Sequence, residues 1–212
     1  MKNRKSWILT DRQVCDCEMI LDGSFSPLDR FMTEEDYSSV LKTMRLSNGK
    51  LFPIPIVLDV NQNFYKSLEL GEKIILRDKE GFQIARMTIE SMWKPDLNEE
   101  AEIVYGTVDK LHPAVNYLFT YGNKIYVGGK IEKIAMPNHY DYKQFRLNPQ
   151  STKARFKEMG WKKIIAFQTR NPLHRAHVEM TLKSMQKLDA NLLLHPVVGL
   201  TKVGDVDHYT RV

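Results

Sequence analysis

The sequence predicts an α+β fold for residues 1–150, a small mixed β-barrel with one or two helices, followed by the beginning of an α/β fold over residues 151–212. Two observations lead to this prediction. Short apolar runs separated by turn residues fill the first part of the chain, as in a sheet of short strands. In the second part, two apolar runs flank a segment with helical periodicity, which indicates a β-α-β unit. We therefore place a domain boundary near residue 150.

The clearest helix of the first domain is predicted over TEEDYSSVLKTMRL, residues 33–46. Thr33 is a good N-cap because its hydroxyl can accept a hydrogen bond from the first turn. Glu34, Glu35 and Asp36 follow directly, where the helix dipole favours negative charge. These local signals fix the start of the helix.

Four apolar segments of the first domain are predicted to form strands. EKIILRD (72–78) and FQIARMTIESMW (82–93) flank a turn-like KEG and so indicate a β-hairpin. KIYVGGKIEKIAM (124–136) indicates either a strand pair or one strand bent at its two glycines. LFPIPIVLDV (51–60) contains two prolines, which remove backbone donors, so we expect it at a sheet edge or beside a bulge.

The second domain begins with an amphipathic segment, KARFKEMG, which ends at Gly160. A strand at about 163–167, a helix at about 173–189 and a strand at 191–199 follow. Such a unit should have parallel strands and a right-handed crossover. The helix should be amphipathic and pack on the sheet, with one polar arc and apolar residues elsewhere. The polar arc consists of Arg175, Glu179, Lys183, Gln186 and Lys187, and the apolar positions are Leu173, Val178, Met180, Leu182, Met185 and Leu188.

Charge and cysteine content narrow the function classes only slightly. The formal net charge of +5 suits a protein that binds anionic small molecules or nucleic acid, but many proteins of other function share it. Cys15 and Cys17 are too few for a metal cage and poorly spaced for a disulfide, so we expect reduced thiols. The sequence contains no secretory signal and no apolar run of about 18 residues that could span a bilayer. We expect a soluble, cytoplasmic protein without a membrane partner.

The segment QTRNPLHRAH, residues 168–177, gathers anion-binding side chains between the first strand and the helix of the β-α-β unit. Asn171 followed by Pro172 is a favourable helix start, with Asn at the N-cap and Pro at the first helical position. The amides of the first turn then form an anion site. Arg170 adds a guanidinium fork that can hold two oxygens of a sulfate or phosphate, and Gln168 adds an amide donor.

Two histidines of this segment, His174 and His177, are three residues apart and share a helix face. A metal pair is one interpretation, but no Cys, Asp or Glu cluster lies nearby in the sequence, so we expect no metal site. A second interpretation is a pair that stabilises negative charge on a transferring phosphoryl group. A third is that either histidine only decorates the helix start. The loop GLTKVGD (199–205), with Lys202, is predicted to form the other lip of the same crevice.

Motifs along nearly the whole chain resemble the ATP sulfurylase (sulfate adenylyltransferase) family, in the family's order and spacing. Besides QTRNPLHRAH and HPVVGLTKVGD, they are DGSFSPLDRFMTEEDY (22–37), MRLSNGKLFPIPIVLDV (44–60), YGTVDKLHPAV (105–115), VGGKI (127–131) and GWKKIIAFQTRNP (160–172). The resemblance implies a PUA-like β-barrel over residues 1–150. It also implies the start of a Rossmann-like nucleotidylyltransferase α/β domain over 151–212, which would be incomplete.

The same resemblance implies that ATP and sulfate react to give adenosine 5′-phosphosulfate and pyrophosphate. Mg²⁺ would accompany ATP, with no tightly bound cofactor or structural metal. Gln168 and Arg170 would contact sulfate. Thr169, Arg170 and Asn171 would line the reaction centre, and His174 and His177 would hold the phosphates and stabilise the transition state. The nucleotide site would be formed by Gln168, Thr169, Arg170, Asn171, His174 and His177.

Because its sheet would be incomplete, we expect the chain to have little activity alone and to self-associate as a homo-oligomer. The physiological direction stays open between sulfate assimilation and the reverse reaction in sulfur oxidation. The alternative is a non-catalytic or RNA-binding module built on the PUA-like barrel. The barrel sequence lacks a clear basic and aromatic stripe, so nucleic acid is not an expected partner.

Overall fold

The computed structural model of the chain describes residues 5–198 and 204–212. The chain divides into two compact units, residues 1–149 and 150–212. The first unit is a mixed sheet with helices, and the second is built around a β-α-β arrangement. The predicted α+β and α/β fold classes are therefore confirmed. None of the helices in the described ranges has the length and apolar character needed to cross a membrane.

The first unit contains strands β1 to β7 and helices α1 to α5. The strands are β1 (Ser6–Ile8), β2 (Arg30–Phe31), β3 (Leu58–Val60), β4 (Lys73–Arg77), β5 (Gln83–Thr88), β6 (Ser91–Trp93) and β7 (Ile125–Lys133). The helices are α1 (Asp11–Leu21), α2 (Glu34–Thr43), α3 (Gln62–Ser67), α4 (Leu97–Tyr105) and α5 (Pro113–Asn116), which continues into a π-helical turn at Tyr117–Tyr121. The sequence had indicated only one or two of these helices.

Strand β7 is the centre of the sheet and pairs antiparallel with β2, β3, β5 and β6. Its residue Val127 pairs with Leu58 of β3 and with Met92 of β6, so both edges of the strand are used. Gly128 lets the backbone of Met32, the residue after β2, approach β7 closely, because a Cβ there would lie 2.1 Å from the Met32 oxygen. The two alternatives for residues 124–136 thus resolve to one long strand.

The hairpin predicted around KEG is confirmed, since β4 and β5 pair antiparallel with a register shift between Leu76 and Arg77. The second arm, predicted over 82–93, is interrupted. The amide of Glu90 donates to the Gly128 oxygen at 2.9 Å, so the chain leaves β4 there and continues as β6 along β7. This change of partner is a tertiary effect that the apolar pattern cannot show.

The proline-containing run 51–60 is a strand only at its end. Leu51 makes an isolated bridge with Arg45, and β3 covers Leu58–Val60. The prolines at 53 and 55 lie in the segment between them, where each lacks a ladder donor. The prediction of a strand over the whole run is therefore wrong. The prediction of an edge strand fits β3, which pairs only with β7 among the described strands.

One large apolar cluster fills most of the first unit, and a small second cluster consists of Ala101, Val115 and Leu118. The largest fully buried side chains include Phe31, Met32, Leu58, Ile74, Leu76 and Met87, which come from β2, β3, β4 and β5 and from the residue after β2. Helix α2 begins after Thr33, whose hydroxyl accepts from the amide of Asp36, as its sequence predicts. Cys15 and Cys17 are free thiols, the first exposed and the second buried.

The second unit contains α6 (Pro149–Glu158), β8 (Ile164–Thr169), α7 (Arg175–Leu188), β9 (Asn191–Pro196) and α8 (His208–Arg211). Gly160 has a left-handed φ of 67° just after α6, as the sequence predicts for a helix end. Strands β8 and β9 are parallel, which confirms the predicted pairing. The unit thus brings the carboxyl ends of two parallel strands together.

Candidate functional site

The carboxyl ends of β8 and β9 form the base of the site. Gln168 pairs with His195 and Thr169 with Pro196, so both strands end at the same level. The ladder continues one step further, because the amide of Val197 donates to the Thr169 oxygen at 2.8 Å. In open parallel sheets, ligands bind beyond such strand ends. The segment 168–177 leaves the sheet from this edge.

Thr169 shapes the loop that follows β8. Its hydroxyl donates to the carbonyl oxygen of Asn171 at 2.7 Å and accepts from the amide of Asn171 at 3.1 Å. This local turn holds Asn171 outside the helix, with its side chain exposed. The predicted helix start at Asn171 and Pro172 is therefore wrong. Helix α7 begins three residues later, with His174 at the N-cap and no side-chain capping bond.

His174 and His177 lie against each other at the start of α7. Their rings stack, with centroids 3.7 Å apart and planes inclined by 27°. The centroid of the His177 ring also lies 5.1 Å from that of the Phe167 ring. The His177 Nδ1 atom is buried and has no hydrogen-bond partner among the described residues. A buried polar atom without a partner is costly, and a bound ligand is one way to satisfy it.

Arg170 is held by an acidic residue from the far end of the unit. Its guanidinium donates to the Asp205 carboxylate at 2.6 Å. Arg211, whose side chain is completely buried, lies 3.9 Å from the same carboxylate. Three charged groups, two positive and one negative, therefore meet beside the β8 loop.

The remaining predicted residues are placed as follows. Gln168 is exposed at the end of β8, opposite His195, which is also exposed. Of the loop 199–205, Lys202 lies outside the described residues, whereas Asp205 makes the contact with Arg170. Within residues 5–198 and 204–212, no three His, Cys, Asp or Glu side chains form a group that could hold a metal ion.

Asp205 and Arg211 are the residues that sequence reasoning missed. The acidic residue lies 35 positions after Arg170, and no local pattern links the two. The available signal was weak: the segment GDVDHYTRV contains two acids and an arginine, and Asp205 lies six residues before Arg211. Their pairing depends on where the chain returns after β9.

The cluster can bind and position anions. Arg170 keeps 37% of its side chain exposed, so its guanidinium is accessible next to the helix start. The stacked histidines supply ring nitrogens a few residues away, beyond the same strand end. Such a set of donors can hold a tetrahedral oxyanion and a phosphate chain without a nucleophilic side chain.

Family models match both parts of the chain. A PUA-like domain model matches residues 1–136, and an ATP-sulfurylase model matches residues 143–212. Relatives named sulfate adenylyltransferase include that of Schizosaccharomyces pombe, 46% identical over 207 residues, and that of Chaetomium globosum, 49% identical over 208 residues. Each match covers 97% of this chain, but 42% of the first relative and 36% of the second.

A solved structure resembles the chain as well. It is the structure of a hexameric APS kinase from Thiobacillus denitrificans, which matches with a TM-score of 0.75 and 32% sequence identity. The match covers 95% of this chain and 36% of that one. The chain therefore spans between about a third and two fifths of the proteins it matches.

Proposed function

Because the chain belongs to the ATP-sulfurylase family, with a PUA-like domain followed by part of the ATP-sulfurylase domain, we propose that it takes part in adenylyl transfer from ATP to sulfate. The products would be adenosine 5′-phosphosulfate and pyrophosphate. The observation that carries the proposal is the cluster beyond β8, where Arg170 and the stacked His174 and His177 lie within eight residues.

In the proposed reaction, a sulfate oxygen attacks the α-phosphorus of ATP. The bond between that phosphorus and the bridging oxygen breaks, and pyrophosphate leaves with the electron pair. Two anions must approach each other, so the site has to supply positive charge and orientation rather than a nucleophile. We assign sulfate to Arg170 and Gln168.

The nucleotide phosphates are assigned to His174 and His177, with Thr169 and Asn171 beside the reacting centre. The unpartnered Nδ1 of His177 supports this role, because a packing histidine normally has both ring nitrogens satisfied or exposed. A donor fixed near the α-phosphate would stabilise the charge that develops in the transition state.

The substrates and assembly follow from the same proposal. ATP would enter as its magnesium complex, so magnesium belongs to the substrate. We propose a homo-oligomer, since the solved neighbour is titled hexameric. A cytoplasmic location agrees with two free thiols, which persist in reducing compartments.

Binding measurements on the 212-residue chain test the proposal. Sulfate and the non-reacting analogue α,β-methylene-ATP would be titrated with magnesium by calorimetry. Arg170→Ala should weaken sulfate binding by about tenfold or more, because a charge-assisted hydrogen bond is lost. His177→Asn should weaken binding of the ATP analogue.

Arg175→Ala is the matched control, since Arg175 is exposed in the first turn of α7 and carries the same charge. It should leave sulfate affinity within about twofold, as expected for an exposed charge. Equal losses in Arg170→Ala and Arg175→Ala would show a general charge effect and contradict the assigned site.

A further inference from the structure

The Asp205 carboxylate lies between two guanidinium groups of different character. Arg170, on the loop after β8, is partly exposed and donates to Asp205 at 2.6 Å. Arg211 in α8 is completely buried and approaches the same carboxylate oxygen at 3.9 Å. Asp205 itself keeps 15% of its side chain exposed. Among these three side chains the guanidinium groups outnumber the carboxylate.

Arg211 fixes this arrangement to the sheet. Its guanidinium donates to the carbonyl oxygens of Val206 at 2.9 Å and Val197 at 3.1 Å. The amide of Val197, in turn, donates to the oxygen of Thr169, the residue before Arg170. The contacts therefore close a ring from Thr169 through Val197, Arg211 and Asp205 back to Arg170.

We propose that Asp205 is a positioning residue that orients the Arg170 guanidinium, and that Arg211 anchors Asp205 to the end of β9. The consequence for sulfate rests on the function proposed above. A free arginine side chain samples many rotamers and must be ordered when an anion binds. Because the ring orders Arg170 beforehand, sulfate would meet a guanidinium already in place.

The opposite role for Asp205 predicts a different result. A carboxylate on Arg170 could act as a tethered competitor that occupies the guanidinium until sulfate displaces it. Removing its charge would then strengthen sulfate binding, whereas removing a positioning residue weakens it. The sign of the change separates the two roles.

The test uses Asp205→Asn, with Asp207→Asn as control. Asp207 lies two residues away and caps α8 through the amides of Tyr209 and Thr210, a role that Asn also fills well. Arg170 side-chain Nε–Hε signals would be followed by NMR on arginine-labelled chain without sulfate, assigned with Arg170→Ala. In Asp205→Asn this signal should shift and its heteronuclear NOE should fall, whereas in Asp207→Asn both should stay unchanged.

Sulfate titrations then measure the consequence. Asp205→Asn should weaken binding about threefold to tenfold, the factor expected when one long side chain must be ordered on binding. Asp205→Glu keeps the charge but displaces the carboxylate, and it should weaken binding as well. If the backbone NMR spectrum shows that Asp205→Asn is misfolded, Asp205→Glu takes its place in the test.

The outcomes separate this inference from the proposed function. An unchanged Arg170 signal in both Asp205 variants, or tighter sulfate binding in Asp205→Asn, would overturn the positioning role. Absence of sulfate binding by the natural chain would count against the proposed function, while the Arg170 signal would still decide whether Asp205 orients it.

Discussion

Glu100 is a buried carboxyl group held by two tyrosines in the first unit. Its Oε2 atom accepts hydrogen bonds from the hydroxyls of Tyr37 at 3.0 Å and Tyr126 at 2.9 Å. Burial raises the pKa of Glu100 above its ordinary value of 4.5, although the tyrosine bonds and the charge of Arg12 act in the opposite direction. Asp59 adds to the rise as a like charge.

The raised pKa predicts how stability changes with pH. Protonation of Glu100 favours the folded chain, so this contribution is complete below pH 4.5 and is lost as the pH rises through the folded-state pKa. Glu100→Gln is neutral at every pH and should lack that loss. We expect the difference in unfolding free energy between Glu100→Gln and the natural chain to grow from pH 4.5 upward, as measured by urea unfolding.

Glu100→Ala is the comparison variant. It leaves the hydroxyls of Tyr37 and Tyr126 buried without their acceptor, and this should cost about 2 kcal/mol or more. If the unfolding free energies of Glu100→Gln and of the natural chain change with pH in the same way, the expected titration of Glu100 is contradicted.

The start of a helix could be predicted from the sequence only where the contacts that determine it are local and do not compete with another turn. Helix α2 could be placed because Thr33 and three acids act within one turn, and its capping bond is local. Helix α7 was started three residues too early, since Asn171 and Pro172 form a favourable start locally. The Thr169 hydroxyl instead satisfies the Asn171 backbone, and that competing turn determines the outcome.

The same distinction applies to the strands and to the site. The β4–β5 hairpin was predictable because a short turn joins its arms. The separation of β6 from β5 involves a hydrogen bond from the Glu90 amide to the backbone oxygen of Gly128, far along the chain, and was not predictable. Likewise, the sequence singled out Arg170 and the two histidines, but the contact with Asp205 arises only when the chain returns after β9.

The start of α7 suggests a conflict between stability and binding. His174 occupies the N-cap without a side-chain capping bond, whereas serine caps well. His174→Ser should therefore raise the unfolding free energy by about 0.5–1 kcal/mol. Because the variant removes one of the stacked rings, it should also weaken binding of α,β-methylene-ATP. Urea unfolding and calorimetry measure the two effects.

Asn171→Ala is the control for this element. If Asn171 were the N-cap, its loss would cost about 1 kcal/mol. Since Asn171 is exposed and lies outside the helix, the variant should change stability by less than about 0.5 kcal/mol. A clear loss of stability would restore Asn171 as the helix cap.

The first unit has one large apolar core, whereas the second unit leaves many of its apolar side chains exposed. Thr181 is the buried residue of α7, and its hydroxyl donates to the helix backbone. Exposed apolar side chains surround it on the same helix, namely Val178, Met180, Leu182 and Leu188, between 39% and 52% exposed. Several exposed apolar side chains on one helix favour association.

The exposed face of α7 predicts self-association of the 212-residue chain. Leu182→Glu places a charge on this face, and burial of that charge in an interface would be unfavourable. We expect the dissociation constant between copies to rise about tenfold or more, which corresponds to about 1.4 kcal/mol. Sedimentation analysis over a concentration series measures this dissociation constant.

Lys183→Glu is the control, because it introduces the same side chain one position away, on the polar arc, and should change the dissociation constant less. A natural chain that stays monomeric at high concentration, or equal effects of the two variants, would mean that this face of α7 is not the contact.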